Sequence, residues 1–250
     1  MRFINYLVFI ALFGLVVFSS CKDESTFEDP EVDSTLAYFP LAIGQSITYR
    51  LDSIIYDPIN ETQIEIDTNI VYIREDVVDT FTNEVGELVY RIERFESQNT
   101  NFDWQIRDVW SATKSNTRAE RFEENLRFIK LVFPVEDGEV WNGNLYIDET
   151  TLYPVAGESV EIFKSWFYEI MSTDVPEVIG GYSFDEVTTV QQANEENLIE
   201  RRYSLEKYAK GVGLVYREME IYDTQEIDES IPWEEKADKG FKLTMTVVDY

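Results

Sequence analysis

Apolar residues recur at every second position along much of this chain, and that period constrains the fold more than any other feature of the sequence. Residues 88–92 and 241–247 alternate in this way, as do Ile64, Ile66, Thr68, Ile70 and Tyr72. Successive side chains of a β-strand point to opposite faces, so the alternation predicts strands with one apolar and one solvated face. Such strands are typical of antiparallel sheets. We therefore expect a mainly β fold: a single domain of antiparallel strands, arranged as a curved sheet or half-barrel or as a β-sandwich, with one or two short helices.

Other segments extend this prediction. Further strands are expected at 47–56, 102–110, 126–133, 159–171, 183–191, 200–205 and 214–222. Asn142-Gly143 and Gly180-Gly181 each separate two apolar segments and predict hairpins, since Asn-Gly is the strongest short hairpin signal. A short helix is expected at 232–239, with Pro232 near its start and Gly240 just past its end. A single helical turn is expected at 205–210.

One short pattern occurs twice. Residues 39–47 read FPLAIGQSI and residues 133–141 read FPVEDGEVW, so Phe, Pro and Gly share the same order and spacing. Each copy combines a proline that fixes φ with a glycine that permits a turn, ahead of a predicted strand. Two interpretations are open: the chain holds two related β halves, or two strands simply begin with the same local turn.

The N-terminal residues have the composition of an export signal. They read MRFINYLVFIALFGLVVFSSC, with Arg2 at the tip, an apolar run at 6–18 and two serines before the only cysteine of the chain. A basic tip, an apolar stretch and a small-residue exit are typical of a cleaved signal. The apolar run is shorter than the roughly 20 residues that span a bilayer. The alternative is an uncleaved anchor helix in which Cys21 is an incidental thiol.

The segment Phe18-Ser19-Ser20-Cys21 resembles the lipobox of bacterial lipoproteins, although Phe18 stands where a strict lipobox has Leu. The resemblance implies that residues 1–20 are a lipoprotein signal peptide, removed by cleavage. It also implies that the sulfur of Cys21 is diacylated and the new amine acylated. Each buried methylene contributes about 0.8 kcal/mol, so two or three acyl chains anchor stably. The first partner predicted for this chain is therefore a membrane, held through lipid at Cys21.

Residues 21–37 are predicted to be a lipidated acidic tether ahead of an antiparallel β domain at 38–250. The stretch 22–35 is acidic and polar and lacks apolar periodicity, as flexible linkers do. Lys22-Asp23-Glu24 resembles the charged export signal that sends Bacteroidota lipoproteins to the outer face of the outer membrane. The alternative is a solvated linker without an address. The resemblance implies a lipid-anchored outer-membrane protein exposed at the cell surface.

Composition excludes one class of partner and supports a folded domain. The formal net charge is −28 at pH 7, and such a field repels nucleic acid, whose binding requires Lys and Arg to neutralise phosphates. The chain is 44% apolar and 14% aromatic, whereas disordered chains are poor in aromatic residues. We therefore expect a folded protein with a solvated acidic exterior and no nucleic-acid partner.

The residues needed for several chemistries are missing. The sequence has no histidine, which excludes Ser-His-Asp catalysis and imidazole metal ligands. We select no catalytic residue and expect no cofactor. Calcium takes oxygen ligands, so the loop that begins at Glu136-Asp137-Gly138 and runs to Asn144 is either a calcium site or an ordinary acidic turn. The acidic pairs Glu123-Glu124 and Glu195-Glu196 are the kind that a glycosidase uses, but we expect them to be solvated.

Five tryptophans are candidates for sugar stacking or for the core. They are Trp104, Trp110, Trp141, Trp166 and Trp233. Aromatic residues on alternating strands usually pack in the core. Trp233 lies among charged residues, so we expect it to be the most exposed of the five.

Three stretches together resemble a group of uncharacterised Bacteroidota outer-membrane lipoproteins. These are YFPL at 38–41 with Gly44, KLVFPV at 130–135 with WNGN at 141–144, and YAKGVGLVY at 208–216. The resemblance implies export and one continuous domain. It carries no activity that can be transferred to residues of this chain.

The sequence supports three functional hypotheses. The first is a surface-exposed, non-enzymatic module that binds a protein or glycan partner, which predicts that the domain encloses no ligand-sized cavity. The second is a carrier of an apolar ligand in a curved sheet, which predicts an inner face left unfilled by side chains. The third and weakest is a polysaccharide hydrolase that uses two carboxylates.

Overall fold

The alternating segments become strands of one antiparallel sheet. The computed structural model describes residues 34–60, 63–99 and 103–250. Within these residues the chain forms a 3-10 helix (Ser34–Tyr38), one short α-helix, α1 (Trp233–Lys236), and fourteen strands. The strands are β1 (Ser46–Asn60), β2 (Gln63–Thr82), β3 (Leu88–Ser97), β4 (Gln105–Lys114), β5 (Arg118–Glu123), β6 (Leu126–Val132), β7 (Val140–Trp141), β8 (Tyr153–Val155), β9 (Glu158–Val160), β10 (Tyr168–Ile179), β11 (Tyr182–Glu196), β12 (Glu200–Ala209), β13 (Gly213–Asp223) and β14 (Lys239–Asp249). The predicted signal peptide, Cys21, Lys22-Asp23-Glu24 and the tether up to residue 33 lie outside the described residues.

Twelve of the described strands make one sheet in the order β6-β5-β4-β3-β2-β1-β14-β13-β12-β11-β10-β7, and β8 pairs with β9. Every pair in the large sheet is antiparallel. The sheet curves into a nearly closed, barrel-like form. The mainly β, antiparallel prediction is confirmed, and of the predicted arrangements the chain adopts the curved sheet.

The strand order divides the sheet into two meanders of six strands. β1 to β6 form the first half, β7 and β10–β14 form the second, and the β1–β14 pair joins them. Each half begins with the repeated sequence pattern. Gly44 N–H donates to the carbonyl of Val77, and Gly138 N–H donates to that of Ile170, both at 2.8 Å. Val77 and Ile170 then donate to the carbonyl that follows each glycine. The shared geometry and strand order favour the interpretation of two related β halves.

The free edges of the two halves meet at β6 and β7. Ile129 N–H donates to the carbonyl of Gly143 at 2.8 Å, and the indole of Trp141 donates to the carbonyl of Ile129 at 2.8 Å. The equivalent junction on the other side is the β1–β14 ladder, which runs from Thr48 to Tyr56. The sheet is therefore closed by a long ladder on one side and a narrow contact on the other.

Two apolar clusters stabilise the sheet. The larger fills its inside, where Tyr49, Tyr168 and Tyr208 are fully buried. A small second cluster lies beneath α1 and includes Tyr56 of β1 and Tyr222 of β13. It is on the opposite face of the sheet, because neighbouring residues of a strand point to opposite faces. There Trp233 stacks on Tyr222, with ring centroids 6.3 Å apart and ring planes 13° from parallel. The prediction that Trp233 is exposed is wrong, because this helix presses its ring onto the sheet.

The predicted hairpin at Asn142-Gly143 is wrong. β7 pairs with β10, and residues 143–146 form turns. A Cβ on Gly143 would lie 2.4 Å from ring atoms of Tyr168, so this glycine is required by close packing under that ring. The other predicted hairpin is confirmed, because Gly180-Gly181 joins β10 to β11.

Three further local predictions are wrong. The segment 159–171 is two strands, β9 and β10, separated by a turn at 162–165. The segment 205–210 is no helical turn, because residues up to Ala209 belong to β12. The helix expected at 232–239 is shorter, and Gly240 does not end it but lies in β14, where a Cβ would meet the carbonyl oxygen of Ile221 at 1.9 Å.

The inward face of β2 also differs from the sequence prediction. Ile66 and Ile70 are about half exposed, whereas Val71, Ile73 and Val77 of the opposite face are buried. Both faces of β2 carry apolar residues at every second position, and the face that packs in the core is the one that begins at Val71. The prediction for 241–247 is confirmed, because that apolar face of β14 packs in the core.

Candidate functional site

Charged side chains occupy inward positions of the strands, where the alternating pattern predicts apolar residues. Glu75 follows Val71 and Ile73 at a spacing of two, so it points to the same face. Seven ionic side chains meet inside the sheet in this way, and we call them the inner ion network: Glu75, Arg94, Arg121, Glu123, Lys130, Glu206 and Arg217. Six of the seven are buried, and the side chain of Arg217 is 12% exposed.

Glu75 forms one end of the network. It accepts hydrogen bonds from Arg94 Nε at 3.0 Å and from Arg121 Nη2 at 2.9 Å. Arg94 also donates to Asp108 at 3.1 Å. The indole of Trp110 lies against both guanidinium groups, with its ring centroid 3.5 Å from Arg94 Cζ and 5.0 Å from Arg121 Cζ. A weakly hydrated guanidinium suits such stacking, so Trp110 replaces water around these charges.

Glu123 links the two halves of the sheet. It lies on β5 of the first half, and Arg217 on β13 of the second half reaches it at 3.2 Å. Lys130 and Arg121 lie 3.4 Å and 3.3 Å from the same carboxylate oxygen. This buried carboxylate is therefore paired with cations from both halves of the sheet.

Glu206 forms the other end of the network. Its Oε1 accepts from Lys130 Nζ at 3.0 Å and from Arg217 Nε at 2.6 Å. Its Oε2 accepts from Gln192 Nε2 at 2.7 Å and from the Tyr208 hydroxyl at 2.6 Å. Both oxygens of this fully buried carboxylate are therefore satisfied.

Two β-bulges aim side chains at Glu206. The register of β5 with β6 passes from Leu131 to Ile129, which leaves Lys130 without a cross-strand partner. The register of β11 with β12 skips Gln192 in the same way. A bulge places one extra residue on a strand and redirects its side chain. Lys130 and Gln192 reach the buried carboxylate from these positions.

The cations hold the three buried carboxyl groups in the ionised form. Burial alone raises the pKa of the Glu123 carboxyl, but the charges of Arg217, Lys130 and Arg121 outweigh burial and hold that pKa well below its usual range. Burial also acts to raise the carboxyl pKa values of Glu75 and Glu206. The neighbouring cations outweigh burial, so both pKa values are lowered. A glycosidase needs one carboxyl with a raised pKa to protonate its leaving group. These three carboxyls have the opposite property.

A cleft connects this network to the surface. It opens between the turn that precedes β1 and the turn that joins β12 to β13, and its cavity volume is about 50 Å³. Tyr49, Glu75 and Arg121 line its inner part. Its apolar lining includes Phe39, Leu41, Ile47, Val77, Val212 and Leu214. The cleft thus has apolar walls and a charged floor.

Three open grooves of about 470 to 550 Å³ lie elsewhere on the domain. The groove lined by Phe81, Val109 and Phe122 exposes between a third and a half of each of these side chains. Another lies where the tip of the β10–β11 hairpin approaches Leu205 and Tyr216. These two grooves present apolar and aromatic surface to solvent, whereas the third is lined mainly by polar and charged residues.

The structure separates the candidate residues of the sequence analysis. Glu123 belongs to the inner ion network, so the prediction that it is solvated is wrong, whereas its neighbour Glu124 is exposed in a turn. Glu195-Glu196 is exposed at the end of β11, as predicted. In the loop that begins at Glu136, Gly138 makes the backbone turn described above. Across 34–60, 63–99 and 103–250, no three acidic side chains converge as a metal cluster, and calcium stays a prediction.

The tryptophans follow the core prediction except for the position of Trp233. Trp110, Trp141 and Trp166 are buried, and Trp104 is half-buried beside Arg74. Cys21 and Lys22-Asp23-Glu24 lie outside the described residues, so lipidation and the export signal stay predictions.

Sequence reasoning missed the inner ion network, although one signal for it exists. Ile73-x-Glu75-x-Val77 and Ala119-x-Arg121-x-Glu123 place charges in phase with buried residues. Charges of opposite sign at inward positions of several strands indicate a buried ionic cluster. No comparable signal marks Lys130, because its bulge depends on the partner strand.

No protein-family model matches this sequence, and no curated protein matches it. Two solved structures are similar over most of their length. One is provisionally described as a lipoprotein of Parabacteroides distasonis; the match has 10% identity and a TM-score of 0.36 and covers 85% of this chain and 97% of the other. The second is provisionally described as an exported protein with a YmcC-like fold from Bacteroides fragilis, with 10% identity, a TM-score of 0.35 and coverage of 84% and 97%. At these scores the likeness supports no inference about this chain.

In the part of the chain that the structure describes, no helix has the length and apolar content needed to cross a bilayer.

Proposed function

We propose that this chain is a lipid-anchored protein of the cell envelope whose β domain is a non-enzymatic module for binding a protein or glycan partner. One observation carries the proposal. The aromatic core and the inner ion network fill the inside of the curved sheet, which is where a carrier of an apolar ligand holds its cargo. The surface available to a partner is then the outside, where the groove at Phe81 and Phe122 exposes aromatic rings.

The envelope location rests on the sequence. The lipobox-like segment that ends at Cys21 supports a lipid anchor, and Lys22-Asp23-Glu24 supports transfer to the outer face of the outer membrane. A net charge of −28 fits a solvated surface domain and opposes nucleic acid as a partner.

The non-enzymatic assignment rests on the state of the buried acids. Glu75, Glu123 and Glu206 are each bound by two or more cations, and the pKa values of their carboxyl groups are lowered. Carboxylates held in this way are poor proton donors at neutral pH.

Native mass spectrometry tests the module against the carrier. The chain from residue 22 onward is purified from the periplasm of its own source, and its mass is recorded before and after denaturation. We expect the mass of the protein without a long-chain lipid. A stoichiometric lipid that leaves on denaturation would favour the carrier, and turnover of a polysaccharide by the same preparation would overturn the non-enzymatic assignment.

The anchor is tested by the variant Cys21→Ser. Without a thiol to acylate, the protein loses the acyl chains that hold it at a bilayer, so we expect it to leave the membrane fraction. Ser20→Ala serves as the control and is expected to stay with the membrane. Immunoblots of soluble and membrane fractions measure the outcome, and membrane retention of Cys21→Ser contradicts the anchor.

A further inference from the structure

The first residues of β2 form a strand edge that no other described strand covers. β2 pairs with β1 from Gln63 onward, but its pairing with β3 begins only at Tyr72. Within the described part of the chain, the stretch 64–70 therefore has a neighbouring strand on one side only. At about 3.4 Å per residue this open edge is about 20 Å long. An edge of this kind is a template on which a further strand can pair.

Alternate residues of this stretch direct their backbone groups to the open side. Val77 N–H donates to the carbonyl of Gln45 at 2.9 Å, so Val77 faces the β1 side. The register with β1 is unbroken over 64–76, and backbone groups of an antiparallel strand point to its two sides in alternation. Pro58 lies opposite residue 64 and has no N–H, which agrees with a position that makes no ladder bond there. The residues that present N–H and C=O groups to the open side are therefore Ile64, Ile66, Thr68 and Ile70.

The two faces of the edge differ in character. On one face Ile66 and Ile70 are 54% and 48% exposed. On the other face Glu65 and Asp67 are exposed, and Asp57 of β1 lies directly opposite Glu65. Among the described residues, none of these three carboxylates forms an ion pair with Lys or Arg. The edge thus combines an apolar face with an acidic face whose charges are unbalanced.

This pattern selects the strand that can pair here. A strand added to the edge places every second side chain beside the isoleucines and the others beside Glu65 and Asp67. Opposite charges that face each other across strands stabilise the pair, whereas like charges destabilise it. A second copy of this edge, paired around Ile66, sets Glu65 against Asp67 and is disfavoured. The segment 22–35 of this chain is rich in acids and has the same disadvantage.

We infer that the β2 edge at 64–70 binds an extended segment of a partner protein in which apolar residues alternate with Lys or Arg. The segment adds a strand to the sheet, so that backbone hydrogen bonds supply affinity and alternate side chains supply specificity. This inference rests on the binding role proposed above and names one partner class for it. The site differs from the groove at Phe81, which lies at the opposite end of β2.

The test uses three heptapeptides, blocked at both ends, and the chain from residue 21 onward carrying Cys21→Ser. In the first peptide Val and Lys alternate, with Val at both ends. In the second, Glu replaces every Lys. The third keeps the Val-Lys sequence and carries a methyl group on each Val nitrogen, which removes the N–H groups that face β2. By calorimetry we expect the first to bind one site and the others to bind at least about fivefold more weakly, because they lack favourable charges or donors.

Hydrogen exchange read by NMR locates the bound strand. In the free chain we expect the amides of Ile66 and Thr68 to exchange faster than those of Glu65 and Asp67, which face β1. A saturating amount of the Val-Lys peptide should slow exchange at Ile66 and Thr68 about tenfold or more. Protection of these two amides before any peptide is added would mean that the edge is already paired, and would overturn the proposal.

A charge reversal and a matched control test the acidic face. Glu65→Lys combined with Asp67→Lys is expected to reverse the preference, so that the Val-Glu peptide binds more tightly than the Val-Lys peptide. Glu84→Lys combined with Glu195→Lys makes the same change in net charge at exposed positions elsewhere and is expected to keep the original preference. The proposal is overturned if the Val-Lys peptide does not bind, if its N-methylated form binds equally well, or if the two double variants behave alike.

Sedimentation of the chain alone tests a second copy as the occupant. We expect a monomer. Ile66→Pro removes an N–H on the open side and leaves the ladder with β1 intact, so a dimer that this variant abolishes would assign the edge to a second copy and overturn the proposal. Failure of the peptides would leave the filled interior, and with it the proposed function, in place. A lipid bound in the mass-spectrometry experiment would instead refute the proposed function without covering this edge.

Discussion

Lys130 and Glu206 come from opposite halves of the sheet and meet at 3.0 Å in its interior. A buried ion pair contributes little net stability compared with an apolar pair of similar volume, but removing one partner leaves an uncompensated charge. We therefore expect the pair to act chiefly on specificity, because an arrangement of the two halves in which these two groups fail to meet leaves buried charges unpaired. Glu123 and Arg217 impose the same condition at a second place.

Replacing Glu206 with Gln tests that role. The amide keeps the shape of the side chain but removes the charge that pairs with Lys130 and Arg217, so we expect the free energy of unfolding to fall by about 3–5 kcal/mol. Urea unfolding measures it. Glu195→Gln removes an exposed carboxylate and is the matched control, with little expected change. A loss for Glu206→Gln no larger than the control's would show that the network is not needed for stability.

Acid should unfold this protein through the same carboxyl groups. The pKa values of Glu75, Glu123 and Glu206 are lowered from the ordinary value of 4.5 in the folded state. Because the folded value lies below the unfolded one, their stabilising contribution is complete above pH 4.5 and is lost as the pH falls below it. We expect the urea midpoint to drop steeply between about pH 5 and pH 3, and to do so in high salt as well, since buried pairs are weakly screened. An unchanged midpoint over that range contradicts the expectation.

At the scale of the elements, the turn at Gly180-Gly181 carries a prediction with its own control. Both glycines have positive φ, but a Cβ on Gly180 would lie 1.9 Å from the carbonyl oxygen of Val247, whereas a Cβ on Gly181 has nothing within 4 Å. For Gly181→Ala we expect the free energy of unfolding to fall by only about 1–2 kcal/mol, because alanine disfavours the left-handed backbone. Gly180→Ala must also move the hairpin off β14, so we expect a clearly larger loss in urea unfolding. Equal losses would mean that the hairpin does not press on β14.

The elements also show what the sequence can and cannot predict. Alternation identifies strands correctly, because each strand has one face in the core, and 241–247 gives the correct face as well. In β2 both faces alternate, so the sequence cannot tell that Val71 and Ile73 point inward while Ile66 and Ile70 do not. That choice depends on which strands lie on either side.

The cleft and the network needed long-range information. Gln45 and Val212, which meet at the mouth of the cleft, are far apart in sequence, and no local pattern pairs them. Lys130 reads as a solvated residue until the bulge that redirects it is known. The repeated pattern at 39–47 and 133–141, by contrast, was visible in the sequence, because each copy makes its turn locally.

At the scale of the whole molecule, the narrow contact between β6 and β7 is the expected opening point of the sheet. Trp141→Phe removes the indole N–H that donates to Ile129, and we expect the Ile129 amide to exchange with solvent about five- to tenfold faster. Trp166→Phe is the control, because its indole donates to Ile162, which is four residues away in the same turn. Hydrogen exchange read by NMR distinguishes them, and equal exchange at Ile129 in both variants would place the opening elsewhere.

The position of β1 has a mechanical consequence. β1 is the first strand of the domain, and it is hydrogen-bonded along both edges, to β2 and to β14. A force that pulls β1 along its own axis therefore loads two rows of hydrogen bonds together, in shear, instead of breaking them one by one. A domain pulled through β1 in this way resists extension where it first receives the load.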